Sequence, residues 1–280
     1  MSEVAAYRLS GAGNDFLALV EPAAEPTTET IRAWCRRGLS LGADGLLALE
    51  RTAQGAGMRY WNADGSCGAL CLNGSRCAAQ LAFHLGWGEG EGLLLDTGAG
   101  QLAAHRLNAH SVSVALPAII QTPVERRLVV TGQAFSTWWT KVGVEHLVVP
   151  WPSRLDTVAI STLGKAFRAH PDLGACGANI DFVRWETDHR FDIRSFERGV
   201  EAETLACGTG VVAAVAAGIA AGTLEPPATA RTAGGCLLRV EGKVEHGCLE
   251  QVRLAGDARI VARCQLFEAA SLVPAQASWY

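Results

Sequence analysis

Cys71-Leu-Asn-Gly-Ser-Arg-Cys-Ala-Ala-Gln-Leu-Ala-Phe-His-Leu85 and Cys207-Gly-Thr-Gly-Val-Val-Ala-Ala-Val-Ala-Ala-Gly-Ile-Ala-Ala221 are the two stretches that decide the fold. Each opens on a cysteine, places a glycine three residues on, and continues in small and apolar residues without proline. The spacing predicts helices over Asn73–Leu85 and Thr209–Ala221, apolar around most of their circumference and therefore buried. A constant shift along the chain lays Cys71 on Cys207, Gly74 on Gly210, Ala78 on Ala214 and Gly86 on Gly222.

Working outward, the likeness continues on both sides. Downstream, Thr97-Gly-Ala-Gly-Gln-Leu102 matches Thr232-Ala-Gly-Gly-Cys-Leu237. Upstream, Gly11-Ala-Gly-Asn-Asp-Phe16 resembles Gly177-Ala-Asn-Ile-Asp-Phe182. Leu93–Asp96, Ser111–Leu116, Leu128–Thr131, His146–Val149, Leu237–Val240 and Arg259–Arg263 read as short strands between turn residues. The fold class expected is α/β, with two pseudo-symmetric domains, each a strand-rich, barrel-like shell around one central helix. Two prolines break the pattern between Pro117 and Pro123 and mark a boundary there.

The bulk composition narrows the function classes. Over 280 residues, 49% are hydrophobic and 19% charged, with a net charge of −4, a globular balance. There is no basic excess of the kind a nucleic-acid footprint needs, and no apolar run of membrane-spanning length, so neither partner is expected. The start, Met1 to Phe16, lacks a secretory pattern, so a cytoplasmic protein with reduced thiols is expected. The nine cysteines make an odd count, which argues against a disulfide framework. Cys67, Cys71 and Cys77 cluster, with Cys67 and Cys71 one helical turn apart. Zinc sites, however, show paired short spacings in two places, and no metal is expected.

The chemistry concentrates at the helix starts. Unpaired N–H groups and the positive end of the helix dipole favour an anion there. Two effects are expected: a lowered thiol pKa at Cys71 and Cys207, and a seat for a substrate carboxylate. Gly74, Gly208 and Gly210 let a ligand approach the backbone closely. If the halves face each other, one thiolate removes an α-proton from one face of a carbon and the opposing thiol protonates the other face. Such an inversion requires neither pyridoxal phosphate nor a metal, so no cofactor is expected.

These residues resemble the diaminopimelate epimerase family. The blocks are Gly11–Phe16, Gly42-Ala-Asp-Gly45, Asn62-Ala-Asp-Gly-Ser66 leading to Cys71–Cys77, Gly143-Val-Glu-His146, Gly177–Phe182, and Glu197-Arg-Gly-Val200 leading to Glu203–Gly210. They run in the family's order over nearly the whole chain. The resemblance implies epimerisation of L,L-diaminopimelate to the meso form, a cofactor-free small-molecule reaction by a homodimeric enzyme. It implies catalytic Cys71 and Cys207, with His146 and Glu197 as acid–base helpers. It implies substrate contacts at Asn14, Asn62, Asn179, Glu197 and Arg198, and a carboxylate cradle at Leu72, Asn73, Gly74, Gly208 and Thr209. Arg198 would grip the distal carboxylate as a fork. The domains expected are 1–117 with 266–280, and 118–265, with the active site in the cleft between them.

Three positions depart from the family pattern. Leu72 stands where glycine is usual, Val144-Glu145 where Asn-Pro is usual, and Cys67 where an acidic residue is usual. The first two put the substrate in question more than the reaction. A racemase of another amino acid, a non-catalytic binding protein, and an isomerase with another acid–base residue are the alternatives.

Overall fold

The computed structural model describes residues 4–116 and 121–271. The expected boundary at 117/118 and residues 272–280 of the expected C-terminal segment lie outside the described residues. The chain divides into two compact units, Met1–Val112 with Ala258–Tyr280, and Ser113–Asp257.

The first unit contains β1 (Val4–Gly11), β2 (Asn14–Val20), α1 (Thr28–Cys35), β3 (Gly45–Thr52), β4 (Gly55–Asn62), the short β5 (Cys67–Gly68), α2 (Leu72–His84), β6 (Gly92–Thr97) and β7 (Gly100–Asn108). The last strand of the chain, Arg259–Leu266 (β18), pairs along its length with β1, which is why the first unit resumes at Ala258. From that edge the order is β18, β1, β2, β3, β4, β6, β7. β2/β3 and β4/β6 are parallel, the other pairs antiparallel, and β5 is a spur on β4.

The second unit takes in β8 (Ser111–Ala115), β9 (Val124–Val130), β10 (Gln133–Val142), β11 (Val144–Pro150), α3 (Ile160–Arg168), β12 (Asn179–Thr187), β13 (Arg190–Glu197), β14 (Ala202–Thr204), α4 (Gly208–Ala220), β15 (Ala228–Arg231), β16 (Leu237–Glu245) and β17 (Cys248–Asp257). Its strand order is β9, β10, β11, β12, β13, β15, β16, β17. β11/β12 and β13/β15 are parallel, and β14 is a spur on β13. The two units therefore share one pairing pattern, and the helices fall at equivalent points in both.

That equivalence corrects one expected match. Gly177–Phe182 leads into β12, whose counterpart is β3, preceded by Gly42–Gly45. The counterpart of the Gly11–Phe16 turn between β1 and β2 is the β10–β11 turn around Gly143. Gly-Ala followed by a short polar residue is a common way into a buried strand, and composition alone misaligned the two.

Each sheet is covered on two faces. α2 packs against β1, β2, β3, β4, β6, β7 and β18, and every residue from Leu72 to Phe83 is buried. α4 packs against β10, β11, β12, β16 and β17, burying Val211–Gly218. The other faces carry the amphipathic helices that the sequence reading passed over. Ile31, Trp34 and Cys35 of α1 join Leu17, Leu46 and Trp61, while Phe167 of α3 joins Phe135, Phe182 and Phe196. Both expected central helices form, each starting one residue earlier than read. Among the described residues, no helix is long and apolar enough to cross a membrane.

Candidate active site

In the first unit, Cys71 is the N-cap of α2, and its Sγ accepts from the Gly74 N–H at 3.4 Å. The sulfur thus caps the helix start through one of its backbone donors. Behind it, Asn73 donates to the Asn14 side-chain oxygen at 2.6 Å, and Asn14 donates in turn to Asp44 at 3.1 Å. Fully buried Arg76 donates to the Asn73 oxygen at 2.7 Å, one turn into the helix. Asp15 and Asp44 are held by Arg37, and Asp15 also by Arg8. Leu72 is buried. Asn62 ends β4, accepting from the Tyr60 hydroxyl at 2.6 Å and donating to Ser66 at 2.9 Å. Asn14, Asn73 and Cys71 thus meet around one helix start, while Asn62 caps a turn.

The one-turn spacing of Cys67 and Cys71 is not realised on a helix. Cys67 lies exposed on β5, not on a helix, and Cys77 is buried inside α2. Among the described residues, no group of three or more His, Cys, Asp or Glu is placed to hold an ion.

In the second unit, Cys207 is the N-cap of α4, only 7% exposed, with its sulfur 3.4 Å from the Thr209 hydroxyl. Strand alternation brings four polar side chains to the same place. Asn179 and Asp181 are two apart on β12; Ser195 and Glu197 are two apart on β13, with Ser195 directly opposite Asp181. His146 on β11 is register partner of Asn179. Its Nδ1 lies 2.7 Å from Asp181 Oδ2, and Ser195 donates to Asp181 Oδ1 at 2.6 Å. The Nε2 of His146 is buried and has no hydrogen-bond partner among the described residues. Glu197 accepts from the Thr204 hydroxyl and lies close enough to Cys207 for its charge to act on the thiol. Asn179 accepts the Arg198 N–H at 2.8 Å. Gly208 and Thr209 open the helix beside them.

The electrostatics overturn one expectation. The Cys207 thiol is not lowered by its helix start; it is pushed well above its ordinary range. Burial is the main cause, followed by the nearby negative charges of Glu197 and Asp181. A helix end worth a fraction of a charge is outweighed by desolvation of the thiolate plus two carboxylates. Burial also raises the Glu197 carboxyl, and Asp181 adds to this against the opposing pull of Thr204, His146 and Cys207. Both shifts favour the protonated form of the group.

Arg198 is also more engaged than expected. Its Nη1 donates to Glu145 Oε2 at 3.0 Å, and Glu145 Oε1 meets Lys141 Nζ at 3.2 Å across the β10–β11 ladder. Burial pushes the Glu145 carboxyl up, but its backbone hydrogen bond, Lys141 and Arg198 together hold it below the usual carboxylate range. The residue that replaces the family's proline is thus paired to the arginine assigned to the distal carboxylate. Sequence reasoning missed this pair, and it named none of Asp181, Ser195 and Thr204 as a site residue. A period-of-two count along β12 and β13 from Asn179 and Glu197 would have found Asp181 and Ser195.

Two like units, each with a mixed sheet wrapped on a cysteine-capped helix, form a fold seen in solved structures. A phenazine biosynthesis protein of the PhzF family from Bacillus anthracis matches with a TM-score of 0.70, covering 95% of this chain and 100% of that one, at 16% identity. The family model for diaminopimelate epimerase matches residues 7–115 and 138–259. The diaminopimelate epimerase of Aquifex aeolicus is 30% identical over 277 residues, covering 94% of this chain and 97% of that protein. That of Gemmatimonas aurantiaca is 35% identical over 220 residues, covering 74% and 76%. The chain belongs to the diaminopimelate epimerase family, and by that membership it is an isomerase.

Proposed function

We propose that this chain interconverts L,L- and meso-diaminopimelate, with Cys71 and Cys207 as paired base and acid and with no cofactor. The observation that carries the reading is the equivalent placement of the two thiols. Each is the N-cap of the buried central helix of its own unit. In the proposed step, the Cα–H bond breaks and its proton passes to the Cys71 sulfur. The electron pair moves onto the substrate carboxylate, where Leu72, Asn73, Gly74, Gly208 and Thr209 at the helix starts stabilise the developing charge. The Cys207 S–H then delivers its proton to the opposite face of the carbon. The raised thiol supports the donor role in this direction, and the reverse reaction exchanges the roles. Glu197, whose charge acts on Cys207, and His146 manage the proton at that sulfur and the charge of the substrate ammonium. Arg198, with Asn14, Asn62 and Asn179, reads the distal amino-acid end. The reading includes a homodimer working in the cytoplasm, and sedimentation analysis tests the former.

The test is incubation of L,L-diaminopimelate in heavy water with stereochemical analysis. The expected result is the meso isomer with deuterium at the inverted carbon, and no inversion by Cys71→Ala or Cys207→Ala. Inversion without deuterium incorporation would sink the two-thiol mechanism. A second reading, racemisation of another amino acid, draws on the Arg198–Glu145 pair and on Val144 in place of an amide. Turnover of another amino acid with none of diaminopimelate, in a substrate panel, would select it.

A further inference from the structure

We infer that Asp181 is the positioning residue of the second unit's site, fixing His146 as the Nδ1–H tautomer and leaving Nε2 as a bare acceptor for substrate. This rests on the proposed presence of His146 at the reacting centre. Both Asp181 oxygens are already engaged: Oδ2 with His146 Nδ1 at 2.7 Å and Oδ1 with the Ser195 hydroxyl at 2.6 Å. A carboxylate only accepts, so the ring proton belongs on Nδ1. The opposite tautomer would aim a lone pair at a carboxylate and leave a buried N–H at Nε2 unsatisfied. Both His146 and Asp181 have zero exposure, so water offers neither group an alternative partner at the surface.

The placement is over-determined. β11, β12 and β13 carry His146, Asp181 and Ser195 in fixed register, and the start of α4 closes on the carboxylate, where a Cβ at Gly210 would overlap it. Asp181 has no route to swing away and His146 has no route to turn. The one atom of this cluster without a partner among the described residues is Nε2. A buried ring nitrogen left open in an otherwise satisfied network is the feature expected of an atom reserved for a ligand, here the donors of an α-ammonium. Glu197, two residues on from Ser195 along β13, is the companion acceptor.

The tautomer is measurable without turnover. Long-range nitrogen–proton correlation spectra of protein labelled in its seven histidines, with H146Q as the assignment control, report which ring nitrogen carries the proton. The expected result is a protonated Nδ1 and bare Nε2 in wild type, and the reverse in D181N, whose amide N–H donates to Nδ1. Titration with diaminopimelate should then shift the wild-type Nε2 signal. In kinetics, D181N should raise KM as well as lower kcat, with a loss of about 10²-fold or more in kcat/KM, because the flipped ring turns an N–H toward the substrate ammonium. The double variant D181N/H146Q should be no slower than H146Q, since Asp181 acts through His146. S195A, which leaves the aspartate–histidine bond intact, should keep the wild-type tautomer and lose less than about tenfold. Wild-type protein with its proton on Nε2 would overturn the inference even if D181N failed to fold, and so would a D181N ring unchanged in tautomer. If wild type shows the expected tautomer but no epimerisation of diaminopimelate, the substrate reading fails and the positioning role stands.

Discussion

Gly74 and Gly210 hold equivalent positions, three residues after the capping cysteine, yet alanine should act on them in opposite directions. At Gly74 a Cβ would meet Leu47 at 3.4 Å and the Cys71 side chain at 3.5 Å, ordinary contacts. At Gly210 it would overlap an Asp181 oxygen and lie 2.9 Å from the carboxyl carbon. That carboxylate is tied to His146 and Ser195 and cannot yield cheaply. Overpacking of this kind costs about 1–3 kcal/mol, and loosening one hydrogen bond to a buried charged group adds about 1–3. Against this, glycine to alanine in a helix gains at most about 1 kcal/mol. Gly210→Ala should therefore destabilise the protein by roughly 1–5 kcal/mol, and Gly74→Ala should leave it unchanged or up to about 1 kcal/mol more stable. Urea denaturation followed by tryptophan fluorescence, with the shift in midpoint scaled by m, gives both values. Gly210→Ala should also lower kcat, because the shoved carboxylate no longer holds His146. Equal stability of the two variants would refute the claim that Asp181 packs immovably on the start of α4.

Further outcomes follow from the same geometry. Burial raises the Glu197 carboxyl above its ordinary 4.5, so between that pH and its folded value the native state holds a proton that the unfolded state has released. Stability is thus lost as pH rises through that window, and the melting advantage of Glu197→Gln over wild type should grow from pH 4 upward and then level off; parallel melting curves would contradict the raised carboxyl. Iodoacetamide with mass mapping should label exposed Cys67 and Cys176 first, while the Cys207 rate still climbs above pH 9; a Cys207 rate that levels off below pH 8 would restore the lowered thiol. Arg198→Lys should reduce the preference for diaminopimelate over a mono-carboxylate amino acid by roughly 1–3 kcal/mol, about five- to 150-fold in the ratio of specificity constants. The larger figure of a fully desolvated fork is not expected, since the Arg198 side chain is 30% exposed and shares one nitrogen with Glu145. An unchanged ratio would remove Arg198 from the distal subsite.

The sequence by itself determined the repeat, the two buried helices and the residues that open them. Those features are local: a cysteine, nearby glycines and a proline-free run rich in small and apolar residues mark a helix start from a few neighbouring positions. It also named His146, Asn179, Glu197 and Arg198 of the second unit's candidate site, because they sit in recognisable blocks. It misjudged the alignment of Gly11–Phe16 with Gly177–Phe182, which only strand pairing resolves. α1 and α3 went unread because their short amphipathic stretches stand out less than the alanine-rich runs. Tertiary structure alone decided the state of Cys207. A helix start lowers a thiol in isolation, but the neighbouring Glu197 and Asp181 arrive from other strands, and burial removes the water that would stabilise a thiolate. It likewise decided that Glu145 meets Arg198 and that Asp181 holds His146. Charges and hydrogen-bond partners far apart in the chain act through distance and dielectric, and neither quantity is written in the order of residues.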